Sequence, residues 1–317
     1  MATINFVIFS LAGGDPSWSS NPEELEALRT SYGFYDPLLV KYAKYLRNMF
    51  TFGIIYPYFG WSTRYNQFVA EGLYWRLPIT LYLLGTSLVG SMTLGILWGV
   101  FAASRRGTKT DVAIMGSALL TWATPIFMIQ ILAISFFGLV LRDTFGITIF
   151  ATTWGTPNLP TKTMEWWAGV FSRLTLPILT QTLVGLGSWI LYTRNLLLDA
   201  LTQDYVITAR AKGLTERAIL YKHTFKALLP PIATLITLSI PAIVTGSIIT
   251  ENLFGIEGIG RWYIVAVRTG DWNIVTIDHA VAAAVFFIFA VLVVSLNLIA
   301  DLLYGIFDPR IRVGDRR

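Results

Sequence analysis

Five stretches of the chain are apolar over a length that a water-soluble fold rarely needs: 77–103, 112–141, 174–198, 228–250 and 280–303. Each exceeds the roughly 20 residues that cross a hydrocarbon core of about 30 Å. Lipid offers no water to backbone N–H and C=O groups, and an α-helix bonds them all within one segment. The runs therefore predict an all-α polytopic membrane protein. Composition agrees, with 54% hydrophobic and only 14% charged residues, against about 25% charged in soluble domains. A sixth run, 4–12, is too short to span at about 1.5 Å per residue. It has neither a basic start nor a small-residue cleavage site, so a signal peptide is a poor reading. It reads as a partial first transmembrane helix whose first turns precede residue 1.

The chain has no cysteine and two histidines, His223 and His279, far apart. No thiolate or histidine metal site is expected. The net charge of +5 points to orientation rather than to nucleic acid, because in a membrane chain the loops that carry the Lys and Arg decide it. Thirteen of the 24 Lys and Arg fall at 105–109, 194–226 and 310–317. The positive-inside rule puts these segments, with the C-terminus, in the cytoplasm. Residues 13–76, 142–173 and 252–278 then lie outside, with Tyr56, Tyr58, Trp61, Trp75, Trp154, Trp166 and Trp167 as an interfacial aromatic belt. The 13–76 segment is too long for a connector. Its "PEELEALRTSYG" predicts a capped helix from Pro22 to Gly33, within a cap that either meets a solute-binding protein or only shields the bundle.

The most unusual cytoplasmic stretch is "DYVITARAKGLTERAILYKHTFKALLPP", 204–231, a basic island between apolar spans. Ile207, Ala211, Leu214, Ala218 and Tyr221 recur every three or four residues, which predicts one apolar helical face, with Arg210, Arg217 and Lys222 elsewhere. Gly213 marks a turn between two short helices, and Pro230 and Pro231 mark the entry to the next span. Two readings fit: a helix held by a cytosolic partner, or a basic amphipathic helix on anionic headgroups.

No G-x-x-x-x-G-K-[ST], H-E-x-x-H or G-x-S-x-G occurs, so no phosphate loop or hydrolase site is expected here. "GIEGIG" lies in an outer loop and lacks the spacing of a dinucleotide fingerprint. Gln130, Gln181 and Asn297 are polar within spans, and Glu251 is ionisable at a span end. Such residues serve either a solute path or interhelical hydrogen bonds. Trp189 and Trp122 are offered either to stacking on a solute or to packing. A secondary transporter would show two related halves and paired midplane carboxylates, and neither is found.

These stretches resemble one family. "QDYVITARAKGLTERAI" with "ALLP" is similar to the cytoplasmic EAA loop of binding-protein-dependent ABC importer permeases, in the form used by dipeptide and oligopeptide permeases. "LAGGDP", "NPEELEALRTSYGFYDPLLVKY", "RLPITLYL", "ITENLFGIEGIGR" and "DLLYGIFDPRIR" follow in the family's order, so the resemblance covers nearly the whole chain. It implies the type I importer transmembrane domain, with about six transmembrane helices, a coupling helix, and a structured extracellular segment between the first and second helices. The implied regions are 1–12 for the partial first helix, 13–76 for the extracellular segment and 77–317 for the permease domain, with the coupling loop at about 199–229.

By this resemblance the chain is not an enzyme but half of a translocation path in the cytoplasmic membrane. The implied substrates are peptides; the alternative in the same family is oligosaccharides, which the aromatic content suits. Its implied partners are a second permease, one or two ATPases that carry ATP and Mg, a solute-binding protein and membrane lipid. ATPase coupling falls by resemblance to Ala209, Arg210, Lys212, Gly213, Glu216, Arg217 and Pro230. The path candidates are Gln130, Gln181, Trp189, Glu251 and Asn297, and the outer gate loop holds Phe254, Gly258 and Gly260. The chain departs from the pattern at Ile207, where the family motif begins with glutamate, and at Glu257, where it carries proline. At the first of these, apolar packing plus contacts from Arg210 or Glu216 are expected to replace a salt bridge.

Overall fold

The computed structural model describes residues 35–50, 61–62, 64–65, 67–155, 163–267 and 278–307, with isolated positions nearer the N-terminus. The expected partial span at 1–12 and the capped helix from Pro22 lie outside the described residues, apart from those positions. Eleven helices and one small hairpin follow in order. They are α1 (Leu38–Phe50), β1 (Trp61–Ser62), β2 (Gln67–Phe68), α2 (Val69–Ser104), α3 (Lys109–Ala123) and α4 (Ile126–Ile134), the last continued by a π-helical stretch Ser135–Thr144. Then come α5 (Met164–Ser172), α6 (Thr175–Leu201), α7 (Asp204–Ala211) and α8 (Glu216–Ala218). The last passes through π-helical Ile219–Thr224 into α9 (Phe225–Phe254), followed by α10 (Ile259–Val267) and α11 (His279–Phe307). Among the described residues, four helices are long and apolar enough to cross a membrane, or five if α5 and α6, bent by 46°, form one span.

Three expectations are corrected or refined. The run 112–141 is not one helix: α3 ends at Ala123 and Pro125 caps α4. Proline pushes the preceding Thr124 into extended backbone, and its φ and ψ are −83° and 125°. Pro230 and Pro231 stand in the first turn of the apolar span Leu228–Phe254, as expected, but they do not break the helix there. They lie inside a helical path unbroken from Glu216, with Leu228 and Ile232 on either side buried in one cluster with Trp189 and Leu197. Packing holds the helix across the prolines, as it does in membrane helices generally. Lastly, the segments 142–173 and 252–278, read from the sequence as outer loops, carry α5 and α10.

The structure divides into two compact units, 1–81 with 255–292, and 82–254 with 293–317. In the first unit the β1–β2 hairpin, with Trp61 opposite Phe68 and Ser62 opposite Gln67, runs straight into α2. Asp278 accepts from Ser62 Oγ at 2.5 Å and from the Val281 N–H at 3.1 Å, so it caps α11 and ties the hairpin down together. One stripe of α2, Gly72, Arg76 and Thr80, seats α10. A Cβ on Gly72 would lie 2.5 Å from the Trp262 ring, the Arg76 guanidinium lies 4.6 Å over that ring, and Thr80 Oγ1 accepts the Ile259 N–H at 2.9 Å.

In the second unit α6 is the central post. Gly90, Gly95 and Gly99 of α2 face Thr182, Trp189 and Thr193 of α6, and a Cβ on Gly99 would stand 2.7 Å from that of Thr193. Small residues let two membrane helices approach closely enough for dispersion to hold them. Another face of α6 presents Gly187 to α3, with Thr121 Oγ1 2.5 Å from where its Cβ would be. Arg194 of α6 grips Asp111 of α3 with Nε–Oδ1 3.1 Å and Nη2–Oδ2 2.8 Å. Asp111 also accepts the Gly107 N–H, while Thr108 caps α3 by accepting the Asp111 N–H.

Candidate functional site

The basic island folds as a helix–turn–helix. Gly213 closes α7 with φ +75°; its N–H bonds Arg210 O and the Leu214 N–H bonds Ala209 O. That pair of bonds is a Schellman turn, which requires a left-handed residue and so selects glycine. Nothing lies within 4 Å of where a Cβ on Gly213 would be, so backbone conformation alone makes the demand. Thr215 then caps α8, its Oγ1 accepting the Ala218 N–H. Val206, Ala209 and Ile219 are buried together against Leu201 and fix the two arms to each other. Thr224 Oγ1 donates to Ile219 O within the π-helical stretch.

This burial leaves the expected apolar face uncovered. Ile207, Leu214 and Tyr221 are exposed, as are Ala211 and Tyr205, and of the expected five only Ala218 is partly covered. The Schellman turn breaks the helical phase at Gly213, so the period of three or four is not carried by one continuous helix. Within α7 the sequence holds two apolar stripes, 206/209 and 207/211, and spacing alone does not say which turns inward.

The polar members of the island also pair unexpectedly. Arg210 meets Glu216 in a two-pronged ion pair, Nε–Oε1 2.8 Å and Nη2–Oε2 3.2 Å, across the Gly213 turn. The Glu216 carboxyl is held below the usual carboxylate range chiefly by the hydrogen bond from Arg210. Lys212 and Arg217 are exposed, and Pro230 lies in the helix beyond.

The expected path residues are mostly interior. Gln130 is fully buried and donates from Nε2 to Thr250 Oγ1 at 2.6 Å, while Thr250 donates its own proton to Gly246 O at 2.8 Å. Gln181 donates from Nε2 to Ile243 O at 3.4 Å. Two polar residues from α4 and α6 thus reach the same helix, α9. The Oε1 atoms of both glutamines, and Asn297 Oδ1, find no partner among the described residues. Glu251 is fully buried beside Thr250, and Trp189 is packed core over Gly95. Trp122 is exposed.

Of the gate loop, Phe254, Gly258 and Gly260 are buried. The Phe254 carbonyl accepts the Trp154 N–H at 3.0 Å, and Gly258 O accepts from the Trp262 N–H at 3.2 Å. Sequence reasoning passed over Gly255, whose φ of +72° makes the turn after α9 and whose carbonyl accepts from Arg261. It also passed over Asp111 with Arg194 and the Gly72–Arg76–Thr80 stripe. The Gly95 to Gly99 spacing in "GILWG" was a readable signal for the α2–α6 contact.

Comparison with known proteins adds to this geometry. The family described as binding-protein-dependent transport system inner membrane component matches residues 95–313. The oligopeptide transport system permease protein AppB of Bacillus subtilis (strain 168) is 34% identical over 318 residues, 97% of this chain and 93% of that protein. The oligopeptide transport system permease protein OppB of Mycobacterium tuberculosis (strain ATCC 25618 / H37Rv) is 33% identical over 291 residues, 92% of this chain and 85% of that protein. Among solved structures, inward-facing conformations of the MetNI methionine ABC transporter align with TM-score 0.56 and 17% identity, over 74% of this chain and 96% of that one. A bacterial ABC transporter involved in the import of the acidic polysaccharide alginate also aligns with TM-score 0.56, at 14% identity, over 89% of this chain and 97% of that one. At such identities these two speak for the fold alone, that of ABC importer transmembrane subunits. On the match over 95–313 and the 34% identity across almost its whole length, this multi-pass membrane protein belongs to the binding-protein-dependent transport system inner membrane component family.

Proposed function

We propose that the chain is one permease subunit of an ATP-driven peptide importer and that the α7–α8 hairpin is its seat in a cytoplasmic ATPase. The observation that carries the docking role is the exposed apolar side of the hairpin. Tyr205, Ile207, Leu214 and Tyr221 stay exposed while Val206, Ala209 and Ile219 hold the hairpin rigid behind them. A rigid apolar surface rimmed by Lys212 and Arg217 suits a protein groove, and its rigidity lets a push on it reach α6 and α9. The peptide substrate rests on the AppB and OppB similarity, which favours it over oligosaccharide.

In this reading the hairpin and the C-terminus are cytoplasmic, one or two ATPase subunits bind ATP and Mg, and a second permease completes the path. A solute-binding protein delivers the substrate from the other side. Closure of the ATPases rocks α6 and α9 and exchanges outward and inward access. Gln130, Gln181 and Glu251 form the polar seam that keeps these helices in register, Asn297 is offered to the path, and Phe254, Gly258 and Gly260 shape the outer gate.

The test is copurification from the native membrane followed by reconstitution. An ATPase, a second permease and a binding protein should come with the tagged chain, and liposomes should take up labelled oligopeptides on ATP addition. Ile207→Glu should lower the ATPase recovered at least tenfold. A stable chain without an ATPase would refute the docking role, and uptake of oligosaccharides but not peptides would refute the substrate.

A further inference from the structure

The geometry points to Arg210 and Glu216 as a positioning pair that staples the coupling hairpin from within, rather than as two separate contacts to the ATPase. The inference rests on the docking role proposed above and goes beyond it by assigning these two residues to each other. Arg210 stands in the last turn of α7 and Glu216 in the first turn of α8, on opposite sides of Gly213. Both N–H groups that Arg210 offers here, Nε at 2.8 Å and Nη2 at 3.2 Å, go to the two oxygens of one carboxylate. The fork leaves Glu216 no oxygen without a strong donor. Each charge also lies where its helix dipole favours it, the cation at a C-terminus and the carboxylate at an N-terminus.

The cluster of Val206, Ala209 and Ile219 holds the two arms together, while Gly213 and Leu214 are exposed at the tip. An ion pair across the tip closes the open side. The apolar residues that meet the groove, Tyr205, Ile207, Leu214 and Tyr221, are then presented at one fixed angle, so that ATPase movement turns into helix movement instead of bending the tip.

A charge swap separates the two assignments. In the reconstituted complex, peptide imported per ATP hydrolysed is measured for Arg210→Glu, Glu216→Arg and the double swap. Each single variant should lower this ratio about two- to fivefold, the span set by an exposed ion pair, while the amount of ATPase recovered stays unchanged. The double swap should restore the ratio to at least half of wild type, because the pair is remade inside the chain. A double swap as poor as the worse single variant would overturn the staple and assign the residues to the ATPase; single variants at the wild-type ratio would overturn it as well. Amide exchange at Gly213 and Leu214 in the isolated chain needs no ATPase: it should quicken in both single variants and return in the double. Normal exchange behaviour together with failed ATPase recovery from wild type would refute the docking role and leave the staple standing.

Discussion

Replacing Arg194 by methionine is expected to loosen the joint between α3 and α6 by about 2–3 kcal/mol. The figure lies between the limits for ion pairs: exposed pairs contribute up to about 1 kcal/mol, and breaking a fully buried pair costs about 3–5 kcal/mol. Here the Asp111 side chain is only 4% exposed and that of Arg194 is 20% exposed, so loss of the arginine strands a carboxylate whose remaining donor is the Gly107 N–H. Asp111→Asn should cost less, because its amide oxygen still accepts from Gly107 and no charge is left behind. The double change Asp111→Leu with Arg194→Leu should recover most of the loss, since neither charge then needs solvation. The assay is unfolding in mixed micelles, with amide exchange at 109–114 reporting on the joint itself. Arg194, first, and the Gly107 N–H after it hold the Asp111 carboxyl below its ordinary range. A depressed carboxylate contributes stability that is complete above its unfolded pKa, about 4, and lost as pH falls through the folded value. The gap between wild type and Arg194→Met should therefore be constant from pH 5 to 8 and shrink below pH 4. A gap that widens on acidification, or a double variant worse than either single one, would refute the reasoning.

Gly95→Leu should prevent stable accumulation in the membrane, because its side chain would occupy the place of Trp189, whereas Gly85→Ala, with nothing within 4 Å, should be silent; overpacking costs about 1–3 kcal/mol when it can be absorbed, and expression level with thermal aggregation in detergent reads the difference. Gly213→Asn should retain transport, while Gly213→Val should lose it with the chain still folded, since a left-handed residue costs roughly 1–2 kcal/mol without glycine and more when β-branched; ATP turnover measured against uptake would show this as uncoupling. Gln130→Leu should be neutral or stabilising by about 1 kcal/mol, because it removes a buried oxygen without a partner along with one donor; a loss above 2 kcal/mol in micelle unfolding would mean that the oxygen is bonded.

The membrane character, the helical class and the helix–turn–helix of the basic island were legible because each follows from local chemistry. An apolar run of more than 20 residues must be helical in lipid, and Gly213 after a helical pattern predicts the turn that is found. What stayed hidden depends on distance in the fold. Asp111 and Arg194 are 83 residues apart, and each alone reads as an ordinary charge near a span end. The break in 112–141 was signalled by Pro125, yet hydropathy does not drop there, so apolarity outweighed the backbone rule that decides.

The polar residues inside the spans show where a sequence misleads about function. Gln130, Gln181 and Glu251 announce that a partner exists, because lipid cannot satisfy them, but the residue alone does not name the partner. The facing helix does. Thr250 accepts from Gln130 while giving its own proton to Gly246 O, and Gln181 reaches Ile243 O on the same helix. Thr250 and the Ile243 carbonyl thus give each glutamine amide a partner on α9. Trp189 obeys the same logic: its Cβ sits where Gly95 leaves α2 without a side chain, and the residue is buried, whereas an indole free for a ligand needs open space in front of its face. The facing helix, more than the polar or aromatic residue itself, names the contact.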